Sequence, residues 1–300
     1  MNSLLFRSIR RKSVKLVTFI CIKLMLLTAV PLSAYAEQPM RVISTDAGVT
    51  ELMFALGLDK QLVAVDVTSQ LPPDYPKLAN IGYHRTLSAE GLLSLNPTVV
   101  IGSEHTGPEN VLMALKQANV KFVPLNSAKT GQQLEDNILQ LSAALNQADK
   151  GQALLASVNG KLAKIEQHHL AGERVAFLLA MDETKLRLAG RGTSGDAFIQ
   201  LMKAENVAGF DNYRNISAES LLEMQPTIII VAGRTADTAV PNLLAANAVL
   251  AHTPAGKQQR IVAVDGASLV VGLSVSAIDE AIRLTQQLST IRTLAVQGDH

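Results

Sequence analysis

Two stretches of this chain are copies of one another: RTLSAEGLLSLNPTV at residues 85–99 and RNISAESLLEMQPTI at residues 214–228. Eight of the fifteen positions are identical, and most of the others exchange side chains of similar shape, as Leu95 and Met224 do. Each copy has the pattern of a short helix, a proline that ends it, and an apolar strand. A segment repeated within one chain is typical of a duplicated architecture, so we predict two similar lobes.

Strand and helix patterns alternate on both sides of the first copy. Strand patterns occupy residues 40–46, 62–67, 98–101, 120–124, 174–180 and 260–264, and helical patterns occupy 48–56, 109–118, 196–203, 241–251 and about 276–296. This alternation predicts an α/β fold with largely parallel sheets. Residues 131 to about 169 have helical spacing throughout and no strand pattern, which predicts a short helix followed by a long one. We therefore expect two similar Rossmann-like lobes, with mostly parallel sheets, joined by one long α-helix.

These patterns divide the chain into a signal peptide at 1–36, an N-terminal lobe at 37–130, connecting helices at 131–170 and a C-terminal lobe at 171–300. The signal is predicted from basic residues near the start, an apolar stretch, and the small-x-small sequence that ends at Ala36. A membrane anchor is the alternative. The uninterrupted apolar part is far shorter than the roughly 20 residues that a membrane span needs.

The cysteine content and the charge restrict the possible functions. Cys21 is the only cysteine and lies inside the predicted signal, so the remaining chain has no thiol for a disulfide or a metal site. The signal contains six of the 27 basic residues and none of the 26 acidic ones, which leaves 21 against 26 and a net charge of −5. A mildly acidic protein without a basic cluster is not expected to bind nucleic acid.

Motifs for catalysis are weak. The sequence GRGTSG at 190–195 fits G-x-G-x-x-G, but about ten residues separate it from the preceding strand, whereas a dinucleotide turn follows the first strand directly. We interpret it as a glycine-rich loop that lines a cleft. The sequence has no G-x-S-x-G segment and no histidines at metal-ligand spacing. We therefore assign no catalytic residue and expect a binding protein rather than an enzyme.

Tyr83 is the main candidate for binding chemistry. It follows Gly82 and precedes a helix for which Ser88 is the expected cap, at the sheet edge where open α/β folds bind ligands. A tyrosinate can ligate ferric haem iron. Arg85 would favour the ionised phenol by hydrogen bonding to it. The alternative is a loop tyrosine packed over the cleft beside a structural arginine, and the equivalent Arg214 of the second copy supports that alternative for Arg85.

Glu90 and Glu219 occupy the same position in the two copies, in the first turn of each predicted helix. The helix dipole stabilises a carboxylate there, which is a sufficient structural explanation. A matched acidic residue on each lobe would also suit docking to a two-fold symmetric partner.

At these residues the chain resembles the periplasmic haem-binding proteins of bacterial haem ABC importers, and more broadly the binding proteins for vitamin B12 and ferric siderophores. The matching segments are residues 41–57, IGYHRTLSAEGLL at 81–93, SEHTGP at 103–108, AGRGT at 189–193 and TPAGK at 253–257. The segment with Gly-Tyr-x-Arg is the specific one. The resemblance spans the chain after the predicted signal.

The resemblance implies a soluble periplasmic protein that holds haem b (hemin) between its lobes. It implies that Tyr83 is an axial ligand of the iron and that Arg85 supports it. It also implies that Glu90 and Glu219 contact the permease dimer in the inner membrane, and it connects the protein indirectly with an outer-membrane haem receptor system.

The chain departs from this family at two places. Met181 stands where some members have an iron-ligating histidine, and a thioether is a soft partner for ferric iron. It would be a weak ligand, an apolar wall of the cleft, or neither, and we favour the wall. Near the C-terminus GLSVS at 272–276 replaces a Gly-Phe-Gly-Pro-Arg segment, so a basic group for a haem propionate is missing. Arg191 or Arg234 would replace it, and His84 and His105 are further polar candidates near the cleft.

The expected function is the capture of ferric haem and its delivery to an ABC permease for haem and iron uptake. The first alternative is a ferric-siderophore or cobalamin binding protein of the same fold. Those ligands need several cationic groups or a wide aromatic cleft, and neither is clear in the sequence. The second alternative is a periplasmic haem chaperone or enzyme that serves no permease.

Overall fold

The computed structural model describes residues 40–180, 186–233, 236–269 and 272–298, which form eleven β-strands and ten α-helices. The predicted signal peptide, Met181 and Arg234 lie outside the described residues. None of the described helices combines the length and the apolar character that crossing a membrane requires.

The first sheet has five strands: β1 (Val42–Ser44), β2 (Leu62–Val65), β3 (Ala79–Asn80), β4 (Val99–Ser103) and β5 (Lys121–Leu125). Its helices are α1 (Ala47–Ala55), α2 (Ala89–Leu93) and α3 (Glu109–Gln117). The strand order is β3-β2-β1-β4-β5, and every pairing is parallel. β1 and β4 are buried along their whole length, as expected for central strands of a parallel sheet. The carboxyl ends of the strands therefore lie along one edge.

Two helices connect the first sheet to the second: α4 (Gly131–Ala144) and α5 (Ala148–Gln167). They confirm the predicted short helix followed by a long one. The 20 residues of α5 correspond to a length of about 30 Å. Gly151 lies where the two helices approach closely, because a Cβ atom there would be only 2.0 Å from Oγ of Ser142. This glycine is therefore part of the helix contact and does not end the helix.

The second sheet contains β6 (Arg174–Ala180), β7 (Leu186–Ala189), β8 (Glu205–Asn206), β9 (Tyr213–Ile216), β10 (Ile228–Gly233) and β11 (Ile261–Asp265). Its helices are α6 (Ser194–Leu201), α7 (Ala218–Glu223), α8 (Ala236–Ala246), α9 (Pro254–Lys257) and α10 (Val275–Gly298). The order is β11-β10-β6-β7-β9, and β8 also pairs with β6.

The second sheet is mixed, with parallel pairings on one side and antiparallel pairings on the other. β7 runs antiparallel to both β6 and β9, whereas β8, β10 and β11 continue the parallel pairing. Only five residues separate β6 from β7 in the sequence. A parallel neighbour needs a crossover of a dozen or more residues, so a strand that follows so soon has to turn back. The prediction of mostly parallel sheets is therefore confirmed, and the second sheet adds an antiparallel side formed by β7 and β9.

From the serine cap onward, the two repeated segments have the same structure. Ser88 and Ser217 cap α2 and α7, and each accepts a hydrogen bond from the amide three residues on. Each helix is followed by a residue with a left-handed backbone, Asn96 or Gln225, both with φ of 48°. A buried parallel strand then follows in each copy, β4 or β10. The duplicated architecture predicted from the sequence is thus present in both sheets.

One apolar cluster extends from the first sheet through α4, α5 and α10 to the second sheet. Its members include Val42, Leu134, Val158, Phe177 and Leu284, each at most 2% exposed. Separate smaller clusters cover the outer faces of the two sheets. The two halves are therefore joined by a shared core as well as by the chain.

Candidate functional site

The predicted site residues of the first lobe converge on one pocket of about 290 Å³. Loops that follow β2, β3, β4 and β5 line it from the first sheet, and the loop before α6 and Gly272 line it from the second half. The pocket is lined by Thr68, Tyr83, His84, Arg85, Ser103, His105, Ser127, Lys129, Gly192, Ser194 and Gly272. It thus joins elements of both sheets, at the sheet edge where open α/β folds bind their ligands.

Tyr83 presents its ring to this pocket and is 44% exposed. The loop is fixed on either side of it: the amide of Gly82 donates to Oδ1 of Asn80 at 2.8 Å, and the amide of Thr86 donates to the carbonyl of Tyr83 at 2.9 Å. In the part of the chain that the structure describes, the phenol oxygen has no hydrogen-bond partner. It is therefore available to an external ligand.

Arg85 is exposed, lines the same pocket, and makes no ion pair or side-chain hydrogen bond with any described residue. The expected hydrogen bond to Tyr83 is thus absent among these residues. Its equivalent in the second copy has a different environment, because Cζ of Arg214 lies 4.8 Å above the ring of Phe210. The structural explanation inferred from Arg214 does not carry over to Arg85.

His84 is buried next to Tyr83 and also lines the pocket. It is 6% exposed, and its Nδ1 lies 3.3 Å from Oδ2 of Asp66. The rings of Tyr83 and His84 are in contact, with centroids 4.3 Å apart. Asp66 was not predicted from the sequence. Its position directly after β2, at the carboxyl edge of the sheet, was the available signal.

His105 and Lys129 also line the pocket, and Lys129 brings further positive charge to it. Nε2 of His105 lies 3.7 Å from Oε1 of Glu104, whose other oxygen accepts the amide of Ser127 at 2.9 Å. Burial raises the pKa of Glu104, but backbone and side-chain hydrogen bonds and the charge of His105 outweigh it, so the pKa is lowered overall. Lys129 was not predicted from the sequence, although it also follows a parallel strand, β5.

Arg191 does not line the pocket. Its Nε donates to Oδ1 of Asp211 at 2.8 Å, and both side chains are about two-thirds exposed, at 65% and 66%. Its charge is therefore already compensated on the protein surface. The neighbouring Gly192 and Ser194 do line the pocket. The candidates Met181 and Arg234 lie outside the described residues.

The glycine-rich loop is built for packing against the chain rather than around a dinucleotide. A Cβ atom on Gly190 would be 2.4 Å from the carbonyl oxygen of Phe210, so the loop lies directly on the backbone before β9. Thr193 caps α6 by accepting the amide of Asp196 at 3.1 Å. The interpretation as a loop that lines a cleft agrees with this geometry.

Glu90 and Glu219 are exposed on α2 and α7, away from the residues that line the pocket. Within the described ranges neither carboxylate has an ion pair or a hydrogen bond. Because Ser88 and Ser217 already cap these helices, the glutamates are not needed as caps. Both carboxylates are free to bind another molecule.

A second pocket of about 520 Å³ shares Thr68 with the first. Its apolar lining includes Phe54, Leu71 and Val275, and its acidic lining consists of Glu51, Asp265 and Asp279. Among the described residues there is no group of three or more His, Cys, Asp or Glu side chains that would hold a bare metal ion.

Residues 42–267 match the family described as periplasmic binding protein. Among solved structures, the chain is similar to the periplasmic haem-binding protein HutB of Vibrio cholerae, with 39% identity, a TM-score of 0.75, and coverage of 83% of this chain and 98% of that one. A periplasmic haem-binding protein of Pseudomonas aeruginosa is 31% identical, with a TM-score of 0.72 and coverage of 82% and 91%. A curated vitamin B12-binding protein of Pectobacterium atrosepticum is 28% identical, over 67% of this chain and 74% of the relative.

Proposed function

The chain belongs to the periplasmic binding protein family, and we propose that it captures haem in the periplasm and delivers it to an ABC permease in the inner membrane. Proteins of this family bind substrates for transport and are not enzymes. One observation supports the choice of haem: Tyr83, which has no hydrogen-bond partner for its phenol among the described residues, lines a pocket between the two halves. The similarity to two haem-binding proteins, at 39% and 31% identity, supports the same choice.

Tyr83 would bind the haem iron through its phenolate. A phenolate is a hard, anionic oxygen ligand, which suits ferric rather than ferrous iron. The distribution of charge around Tyr83 would orient the rest of the ligand. The cationic Arg85 and Lys129 line the same pocket as Tyr83, whereas carboxylates line the neighbouring pocket. The haem propionates would therefore lie towards the cationic side, where hydrogen bonds to charged groups are strongest.

The two pockets together provide the space that this ligand needs. A volume of about 290 Å³ is at the lower limit for ligand pockets in general. A porphyrin bound at Tyr83 would extend past Thr68 into the neighbouring pocket of about 520 Å³. The apolar side chains there, from Phe54, Leu71 and Val275, would cover part of a porphyrin face.

Export and docking complete the proposal. Residues 1–36 would be the signal peptide, cleaved near Ala36, and haem would come from an outer-membrane receptor system. Glu90 and Glu219, one in each repeated segment, would contact basic residues of the permease dimer. The shared core and the helical connection predict only a small opening of the lobes when haem is released.

Cobalamin is the second candidate ligand, because curated relatives are named vitamin B12-binding proteins, with 28% identity over 208 residues in one case. A competition experiment separates the two ligands. Purified protein is titrated with hemin and with cyanocobalamin, singly and together, and bound ligand is measured by equilibrium dialysis. We expect saturable binding of hemin that an excess of cobalamin does not reduce. Preferential binding of cobalamin would overturn the assignment to haem, and ferric siderophores would be the next ligands to test if neither binds.

A further inference from the structure

His84 is unusual for its position in the chain. It stands in a loop between two exposed residues, Tyr83 and Arg85, yet it is only 6% exposed. Its carbonyl oxygen also accepts the amide of Gly107 at 2.9 Å, so the loop before α3 fixes its backbone. A buried polar side chain needs a hydrogen-bond partner, and here that partner is Asp66.

Asp66 is itself held in place from several directions. It is 1% exposed, and its carboxylate accepts hydrogen bonds from Oγ1 of Thr68 at 2.8 Å, from Oγ of Ser69 at 2.8 Å and from the amide of Ser69 at 3.0 Å. Oγ of Ser69 also lies 2.7 Å from Oγ1 of Thr50, on α1. The carboxylate that meets His84 is therefore fixed to the body of the first lobe.

The hydrogen-bonded pair of Asp66 and His84 contacts Tyr83. A carboxylate can only accept hydrogen bonds, so Nδ1 of His84 carries the proton that faces Asp66. The imidazole plane is then fixed, and the Tyr83 ring rests against it with centroids 4.3 Å apart and planes tilted by 45°. The ring of Tyr83 is thus supported on one side, while no described residue hydrogen-bonds to its oxygen.

Building on the proposed function, we propose that His84, held by Asp66, is a positioning residue for Tyr83 and not an iron ligand itself. It limits the orientations of the phenol before haem arrives, and binding then loses less conformational freedom. Hydrogen-bonded groups behind a metal ligand change metal affinity by about 10- to 100-fold when they are replaced. We expect the lower end of that range, because His84 contacts the tyrosine ring and not its oxygen.

The test is the rate at which hemin leaves the purified protein, measured by transfer to excess apomyoglobin, together with the absorption spectrum of the complex. His84→Ala should release hemin about tenfold faster and keep the tyrosinate charge-transfer band. Asp66→Asn should change the rate in the same direction by a smaller factor. His168→Ala, which removes an exposed histidine at the end of α5, should leave rate and spectrum unchanged.

A double variant separates positioning from general stability. In a Tyr83→Phe background, His84→Ala should have no further effect on hemin release, because there is no iron–phenolate bond left to position. An equal acceleration in both backgrounds would overturn the proposal, as would an unchanged rate after His84→Ala alone. Loss of an imidazole-type spectrum in His84→Ala would show that His84 ligates iron, which also contradicts it. If Tyr83→Phe keeps the tyrosinate band, Tyr83 is not the iron ligand and the proposed function is wrong. That result differs from the results that contradict only the positioning role of His84. Asp66→Asn provides the same comparison if His84→Ala does not fold.

Discussion

The two copies of the repeated segment share a scaffold and differ immediately before it. In both, a serine-capped helix leads through a left-handed residue into a buried parallel strand. In the first copy, the preceding residues form the loop that presents Tyr83 to the pocket. In the second copy, the equivalent position is Asn212, and the next four residues form β9, whose backbone is paired with β7.

This difference shows where a duplicated fold acquires a binding site. A strand paired with a neighbour has its backbone committed to the sheet, whereas a loop at the carboxyl edge can direct a side chain into the cleft. The equivalent arginines follow the same rule: Arg214 packs on Phe210, and Arg85 is free towards the pocket among the described residues. The helix and strand that follow are scaffold in both copies.

The largest expected effect comes from Glu90 and Glu219, the exposed glutamates that the two copies share. Replacing Glu90 and Glu219 together by Ala should abolish hemin uptake by cells that carry the cognate permease, because both docking charges are lost. Hemin affinity of the purified double variant should be unchanged. Glu109→Ala with Glu223→Ala removes one exposed glutamate from each half and is the matched control. Normal uptake by the Glu90/Glu219 variant would refute the docking assignment.

The next largest effect distinguishes Arg85, which lines the pocket, from Arg214, which packs on Phe210. Arg85→Ala should weaken hemin binding about tenfold, within the range for a lost charge-assisted hydrogen bond, and leave thermal stability unchanged. Arg214→Ala should leave hemin binding unchanged and lower the free energy of unfolding by about 0.5–1 kcal/mol, the usual contribution of an exposed cation–π contact. Hemin titration and chemical denaturation measure the two quantities. Equal hemin binding by both variants would contradict the assignment of Arg85, but not Arg214, to the binding site.

The smallest effect tests whether the two scaffolds are equivalent. Ser88→Ala and Ser217→Ala each remove a helix cap and should each lower the free energy of unfolding by about 1 kcal/mol. The two losses should agree closely, since the caps have similar hydrogen bonds, at 3.2 Å and 3.1 Å. Urea denaturation of the two variants provides the measurement. A loss confined to one variant would show that the copies support the fold unequally.

The sequence was sufficient to predict most of the fold because its strong patterns are local. The repeat, the long helix α5 and the buried strands β4, β6 and β10 all have clear apolar periodicity. β7 and β9 were missed. They have four residues each, and the exposed positions that they contribute include Arg187 and Arg214. Short strands with polar outer faces resemble loops, so the antiparallel side of the second sheet was not foreseen.

The candidate site could be predicted only in part for a related reason. Tyr83, Arg85 and His105 lie in segments that mark the cleft locally, and the structure brings them into one pocket. The hydrogen bond between His84 and Asp66 joins residues 18 positions apart, in different loops. The ion pair that compensates Arg191 spans 20 positions. Such partners follow from tertiary packing, which no local pattern contains.

The most direct test of the account is the absorption spectrum of the hemin complex in three proteins: the unaltered protein, Tyr83→Phe and Tyr213→Phe. Tyr213 is the matched control, because it lies directly before the second copy and its hydroxyl lies 3.1 Å from Oγ of Ser194. We predict a saturable Soret shift with a tyrosinate charge-transfer band that Tyr83→Phe loses and Tyr213→Phe keeps. A band that persists in Tyr83→Phe would contradict the central claim that Tyr83 binds the haem iron.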